Sequence, residues 1–372
     1  MKYLATLVLG VSFCGSLFAS EILKIKLFDG EIMTGKLDLP SDPAAIKRLV
    51  IYVHGTGPGT YLNHRKMRAG EFNYFDLFAD EFTKRGTAFF VYSKRGVEIG
   101  DTPPYFDKVD REKYKKVLPS IEVKDIDSVI EFLKSDKRLK KAKVILLGWS
   151  EGTIVASLVA EKNKAVDALL LAGYANDNLF DVIKWQNSGE SSMRAIGKYF
   201  DTNNDHIISK EEYESKENVP AKMRAALFKD APFEQLDANK DGKITAEDFG
   251  ILNHARYNAI LNAVEKQDDD WIWNNYFRIT TAWLKEHFVL EPNKSRLLRV
   301  NIPIYIFHGD ADINVPVEGV YDLHERFVKE HKTNLQYFIF KDHDHDLNYL
   351  DWPSKKVISD GIKKIFEVSE SL

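Results

Sequence analysis

The chain has 372 residues, 44% of them hydrophobic and 29% charged, with a formal net charge of −4. That length and apolar content suffice for a large buried core, while a net negative charge without any basic tract argues against a nucleic-acid partner. Its one cysteine is Cys14, so the chain beyond it has no disulfide and must draw stability from its core and from bound ions.

Lys2 precedes an apolar run from Tyr3 to Phe13, followed by Gly15, Ser16 and Ala19. This order of charged, greasy and small residues predicts a secretory signal over residues 1–19, with cleavage after Ala19. The run is too short for a spanning helix, and no later stretch approaches about 20 apolar residues. The expectation is therefore a periplasmic or secreted protein without an integral membrane segment. A lipid-anchoring signal would also place a cysteine here, but Phe13 stands where such signals resemble one another in having a small residue.

Farther along, Ile22 to Leu27 and Glu31 to Leu39 alternate around Asp29 and Gly30 and predict an opening hairpin. Short apolar runs then recur at Leu49 to Val53, Ala88 to Tyr92, Val144 to Leu147, Ala168 to Leu171, Ile304 to Phe307 and Gln336 to Phe340. Runs of this kind, buried on both faces, are the mark of parallel strands. Between them, Phe72 to Lys84, Ile121 to Lys134, Thr153 to Glu161 and Val320 to Lys329 carry helical periodicity. The pattern predicts right-handed βαβ crossovers around a mostly parallel sheet.

Two turns between these elements carry candidate chemistry. His54-Gly55-Thr56-Gly57-Pro58-Gly59 follows a strand and can direct backbone N–H groups to one point. Gly148-Trp149-Ser150-Glu151-Gly152 joins a strand to a helix, and its glycines permit a tight turn that presents Ser150 at a helix N-terminus. The competing readings are a structural glycine turn and a serine helix cap. A serine hydroxyl is a poor nucleophile unless a base, a group orienting that base and donors for an oxyanion accompany it. The N–H groups of Thr56 and Glu151 are the candidate donors.

The regular alternation stops between about Asp181 and Leu298. Two acidic twelve-residue loops lie there, starting at Asp201 and Asp237, 36 residues apart. The first offers Asp201, Asn203, Asp205, the backbone carbonyl of Ile207, Ser209 and Glu212; the second offers Asp237, Asn239, Asp241, the carbonyl of Lys243, Thr245 and Asp248. Alternating carboxylate, amide and main-chain oxygens supply the six or seven hard ligands that calcium takes at roughly 2.3 to 2.6 Å, which is the EF-hand pattern. Paired loops of this spacing put Ile208 beside Ile244 on a short ladder. Two residues depart from the pattern. His206 stands where the sharp turn normally takes glycine, and Asp248 replaces a glutamate with a side chain one methylene shorter, so the second site is expected to be weaker or more tolerant of magnesium. Solvated acidic turns are the plainer alternative. Trp271, Trp273, Tyr276, Phe277 and Trp283 follow, as either an apolar substrate wall or the segment's own core.

With its two turns, together with Lys94-Arg95-Gly96, Gly309 to Pro316 and a late histidine, the chain resembles the α/β-hydrolase fold. It is most similar to exported bacterial serine esterases with a His-Gly-x-Gly-Pro turn. The resemblance covers about residues 22–180 and 299–366, although Ser93 stands where relatives more often have aspartate. It implies Ser150 as nucleophile and selects Asp312 as the acid, with Asp310 second, because Asp312 lies three residues after the glycine that ends the strand and shortly before Val315-Pro316. For the base it selects His345, two residues before the apolar Leu347, over His343; a metal site formed by the two histidines is a further alternative. The order Ser150, Asp312, His345 is the one this fold requires.

The expected organisation is a signal at 1–19, a core at 20–183 and 298–372, and a lid inserted at 184–297 that holds the EF-hand pair at about 190–255. The resemblance implies hydrolysis of a small ester or acyl substrate, and the aromatic segment suggests that this substrate bears an apolar acyl or aryl group. Peptidase or thioesterase action on the same triad, and a calcium module on an inert body, are the alternatives.

Overall fold

The structure is a computed structural model describing residues 19–42, 46–67 and 70–372. The expected signal and Cys14 lie outside the described residues, apart from Ala19, whose backbone opens the first strand. None of the described helices is long and apolar enough to cross a membrane.

One sheet of eight strands organises the chain: β1 Ala19–Lys26, β2 Ile32–Leu39, β3 Arg48–Val53, β4 Thr87–Tyr92, β5 Lys143–Trp149, β6 Val166–Ala172, β7 Ile304–Gly309 and β8 Leu335–Phe340. Their spatial order is β1-β2-β4-β3-β5-β6-β7-β8. The opening hairpin pairs antiparallel, β2 also runs antiparallel to β4, and every later pairing is parallel. Central strands such as β4 and β5 are buried on both faces, which explains why they read as unbroken apolar runs.

Helices Pro119–Ser135, Gly152–Lys162 and Glu318–Lys329 cover one face of the sheet, packing Ile126, Val129, Val155, Val159, Val320 and Leu323 into the larger core. Asp76–Lys84 and Asp360–Ser371 cover the other with Phe78, Phe82, Ile362 and Phe366. The helix expected from Phe72 starts later, at Asp76. Phe72 instead lies in a small hairpin, His64–Met67 paired with Gly70–Asn73, which the helical spacing of apolar residues disguised.

Between β6 and β7 the chain is helical, and it divides into two apolar clusters. Ile183, Ile260, Ile272, Trp283 and Leu284 pack with Val97, Tyr114 and Ile154 of the sheet-bearing part. Ile196, Phe200, Ile208, Tyr213, Phe233, Leu236, Ile244 and Phe249 form a separate small core around the acidic loops.

Candidate active site

The ends of β3, β5, β7 and β8 bring four turns to one edge of the sheet, where they surround a cleft of about 500 Å³. Thr56, Ser150, Glu151 and His345 all line it.

Ser150 has φ +56°, a left-handed conformation that costs a non-glycine residue on the order of 1 to 3 kcal/mol and holds the side chain out of the strand–helix path. Surrounding contacts enforce it. The Ser150 N–H donates to Ala172 O at 2.9 Å, while its carbonyl accepts from Thr153 N (2.9 Å) and Thr153 Oγ1 (2.7 Å). At Gly152 a Cβ would collide with the carbonyl oxygens of Val53 and His54, so only glycine lets the helix start this close to the end of β3. Gly57, at φ +95°, turns the neighbouring loop back toward the cleft. The N–H groups of Thr56 and Glu151 have no acceptor among the described residues, which leaves both free to serve a ligand.

His345 Nδ1 and Asp312 Oδ2 are 2.7 Å apart. The other Asp312 oxygen accepts from Asn314 N (2.7 Å) and Val315 N (3.0 Å), and its carboxylate is fully buried. Burial opposes its ionisation, but the charge and hydrogen bond of His345 outweigh burial and hold the carboxyl below its usual range. Burial likewise works to lower the His345 pKa, and Asp312 more than offsets it, leaving the imidazole above 6.5. No hydrogen bond joins Ser150 Oγ to His345 among the described residues, a looseness common in catalytic groups before substrate arrives.

Asp310 and His343 do other work. Asp310 Oδ1 accepts from Asp342 N at 2.7 Å, and His343 Nδ1 meets Lys341 O at 2.9 Å, so both shape their own turns. His343 and His345 belong to no metal-binding cluster among the described residues.

Several buried polar side chains behind the cleft, some of them in motifs visible in the sequence, are assigned no role of their own by it. His308 Nδ1 accepts from Tyr174 N at 3.1 Å, which puts the proton on Nε2, 3.3 Å from Asp312 Oδ2. Burial lowers its pKa, and the neutral ring donates from Nε2 to Val315 O at 3.2 Å, beside the same Asp312 oxygen that meets His345. His54, also neutral because burial depresses it to about 3, donates from Nε2 to Tyr92 O at 2.6 Å and backs the Thr56 turn.

Below that turn, Lys94 Nζ donates to Gly55 O (2.9 Å) and pairs with Glu122 (3.1 Å) and Glu151 (3.5 Å). His287 Nε2, on helix Thr281–Val289, lies 3.1 Å from Glu151 Oε1. All four side chains are buried. Two carboxylates cannot both ionise cheaply beside one ammonium group. Burial and the Glu151 charge push Glu122 up toward protonation, whereas Lys94 and His287 overcome burial to hold Glu151 down. The adjacent Arg95 grips Asp125 (2.5 Å) and Asp29 (2.8 Å), fixing the Lys94-Arg95-Gly96 turn to the opening hairpin. These contacts span tens of residues and have no local sequence pattern.

Of the aromatic segment, Tyr276, Phe277 and Trp283 line the cleft, while Trp271, Trp273, Tyr276 and Trp283 pack in the apolar cluster of Ile183, Ile260 and Leu284. The segment thus contributes both to the cleft lining and to a core of its own.

The acidic loops are near copies. Asp205 N donates to Asp201 Oδ1 and Asn203 Oδ1, His206 N to Asp201 Oδ2, and Ile207 N to Asp205 Oδ1; Asp241, Gly242 and Lys243 repeat the scheme on Asp237, Asn239 and Asp241. His206 has φ +64° and Gly242 φ +82°, at the same loop position. Ile208 and Ile244 form an antiparallel bridge with N–H to O distances of 2.9 and 3.0 Å.

The last loop residue differs between the two. Glu212 accepts from Thr202 N and Ser209 N, and these bonds overcome burial to hold its pKa at about 2; Asp248 accepts from Asn239 N and Thr245 N and is fully buried. Among the described residues no three acidic, histidine or cysteine side chains converge to hold a metal, because these carboxylates face the backbone of their own loops. The oxygen-only donor set nevertheless suits calcium, since the Asp201, Asn203 and Asp205 oxygens and their counterparts Asp237, Asn239 and Asp241 that accept one N–H retain a second lone pair.

Residues 228–252, spanning the second loop, match the EF-hand family model described as EF hand. No curated protein matches the chain in sequence. Among solved structures, a highly thermostable carboxyl esterase from Bacillus coagulans is similar at TM-score 0.51 and 13% identity, covering 95% of this chain and 99% of its own. Est1E from Butyrivibrio proteoclasticus matches at TM-score 0.48 and 13% identity over 94% and 96% of the two chains. The acylaminoacyl peptidase of Pyrococcus horikoshii matches at TM-score 0.49 and 13% identity over 95% of this chain, which spans 41% of that longer protein. Strand order and the esterase match together give this chain the α/β-hydrolase fold.

Proposed function

We propose that the chain is an exported serine hydrolase of the carboxylesterase type, with a calcium-binding EF-hand pair in an inserted lid. The observation that carries the enzymatic part is the strained Ser150, in one cleft with His345 on Asp312 and with the free N–H groups of Thr56 and Glu151. In this reading Ser150 Oγ attacks the ester carbonyl carbon while its proton passes to His345 Nε2. The N–H groups of Thr56 and Glu151 donate to the resulting oxyanion, and Asp312 holds His345 in the tautomer that leaves Nε2 free to accept. His345 then gives the proton to the departing alkoxide. Water, deprotonated by the same nitrogen, releases the acid and restores Ser150.

The test is labelling by a fluorophosphonate probe, followed by turnover of esters of graded chain length beside matched amides and thioesters. Labelling of the wild type but not of Ser150→Ala supports the reading; an unlabelled wild type returns the chain to the calcium-module alternative.

In the lid, Asp201, Asn203, Asp205, the Ile207 carbonyl and Glu212 would hold one calcium ion, and Asp237, Asn239, Asp241, the Lys243 carbonyl and Asp248 the second. A bound ion supplies charge neutralisation and order there, apart from the triad. The shorter Asp248 favours weaker or magnesium-tolerant binding at the second loop. Export rests on the pattern of residues 1–19, and the extracellular side offers calcium near the affinities such modules have, on the order of 10⁻⁴ to 10⁻³ M.

A further inference from the structure

Resting on the esterase reading, we propose that the cleft takes substrates bearing a carboxylate separate from the scissile ester, and that Arg65 recognises it. Arg65 lies on the small hairpin opposite Phe72, and both side chains line the cleft that contains Ser150. Its guanidinium has neither a hydrogen bond nor an ion pair among the described residues; it lies 5.6 Å from the face of Tyr105, and Asp107 and Asp346 are near enough to favour its charge without pairing with it.

The neighbouring charges are committed elsewhere. Lys66 pairs with Glu71 at 2.9 Å, and Asp107 receives both arms of Arg278 at 2.7 and 2.9 Å. Asp346, also on the cleft, makes no ion pair with Arg65, and burial holds its carboxyl toward the neutral form. Burial also works against the Arg65 charge, so an incoming anion would relieve a cost already present.

A planar guanidinium offers two parallel N–H donors that match a carboxylate, and partial desolvation strengthens such a pair. Around it, Phe72, Tyr74 and Phe277 supply apolar wall. The cleft thus suits an ester whose acyl or alcohol part is apolar along its length and ends in a carboxylate.

Paired esters separate the possibilities: mono-4-nitrophenyl glutarate against its primary-amide-capped neutral analogue on the acyl side, and 4-acetoxybutyrate against its primary amide on the alcohol side. One charge-assisted contact predicts that the wild type prefers the charged member of at least one pair by about 10- to 100-fold in kcat/KM. Arg65→Met should collapse that ratio, Arg65→Lys should retain part of it, and added salt should reduce it. Equal or reversed preference in the wild type overturns the proposal, as does an Arg65→Met variant with native melting behaviour and an unchanged ratio. If no ester turns over, the esterase reading fails separately; glutarate binding to wild type and Arg65→Met by calorimetry then decides, and absence of binding overturns the Arg65 assignment.

Discussion

Asp312 and His345 meet across 33 residues of chain, whereas Asp237 bonds the backbone N–H groups of Asp241 and Gly242 only four and five residues ahead. The first arrangement depends on a rigid sheet: four strand ends hold the turns in place, and buried neighbours such as His308 and Lys94 keep them there. The second is assembled by the loop itself, beside a small core of its own, and its oxygens still face their own backbone. A site built over long range is ready before its ligand arrives, while a locally built site leaves its final ordering to the ligand. Changes at the sheet edge should therefore alter chemistry or the fold itself, and changes in the acidic loops should alter response to ions.

The sharpest contrast is Ser150→Ala. Loss of the attacking oxygen should cost on the order of 10⁴ to 10⁶ in kcat, with no fall in melting temperature because the φ strain remains but no packed group is lost. Turnover within tenfold of wild type would place the chemistry elsewhere. Asp312→Asn should follow at roughly 10⁴ in kcat, since the amide no longer fixes the imidazole tautomer. It also carries a pH signature. In the wild type the base must be neutral, so kcat/KM should rise with pH through a value above 6.5, the direction in which Asp312 drives His345. Removing that charge should move the acidic limb of the residual activity to lower pH, and an unmoved limb would detach Asp312 from the titrating group. His343→Ala should leave the limb in place.

Lys94→Met tests the frame rather than the chemistry. It removes the ammonium group between two buried carboxyls, and breaking a buried pair costs about 3 to 5 kcal/mol because the other charge is stranded. Urea unfolding should show that loss. Glu122→Gln, which replaces a carboxyl already pushed toward its protonated form by burial, should cost less. Equal losses would mean that both carboxylates are ionised.

These groups also mark the limit of what the sequence discloses. Ser150, the Thr56 turn and both acidic loops are legible because each is a short pattern whose spacing dictates a turn or a ligand set. The opening hairpin is legible from its alternation around a turn and the six later strands from short apolar runs, which burial on two faces leaves unbroken in the central ones. Asp312 and His345 needed a family resemblance to separate them from Asp310 and His343, which differ only in where their turns point. Lys94, Glu122, Glu151 and His287 come from four distant segments, and Arg65 is notable only for partners it lacks. Long-range pairing leaves no periodicity to read.

Calcium should separate the two regions again. At a hundredfold excess over its dissociation constant, an ion bound only by the folded form adds roughly 2.7 kcal/mol, visible as a raised melting temperature. Asp201→Ala with Asp237→Ala should abolish the rise, while Ser150→Ala should keep it. A chelator that leaves the wild-type melt unchanged would remove calcium from the account.

The smallest effect compares the loops with each other. His206 and Gly242 occupy equivalent left-handed positions, at φ +64° and +82°, so the same backbone is held by a residue that resists it and by one that does not. Space is not the constraint at Gly242, where an added Cβ would meet nothing within 4 Å. Gly242→Ala should therefore cost only the backbone strain, about 1 kcal/mol, in the calcium-loaded protein. His206→Gly should come out near zero, because relief of strain is offset by about 0.5 to 1 kcal/mol of extra freedom in the unfolded chain. Thermal melts of both variants with calcium present measure the pair. A loss at Gly242→Ala well above that size would mean that the loop depends on more than its turn, and a clear gain at His206→Gly would show that histidine holds the first loop in a poorer shape than the second.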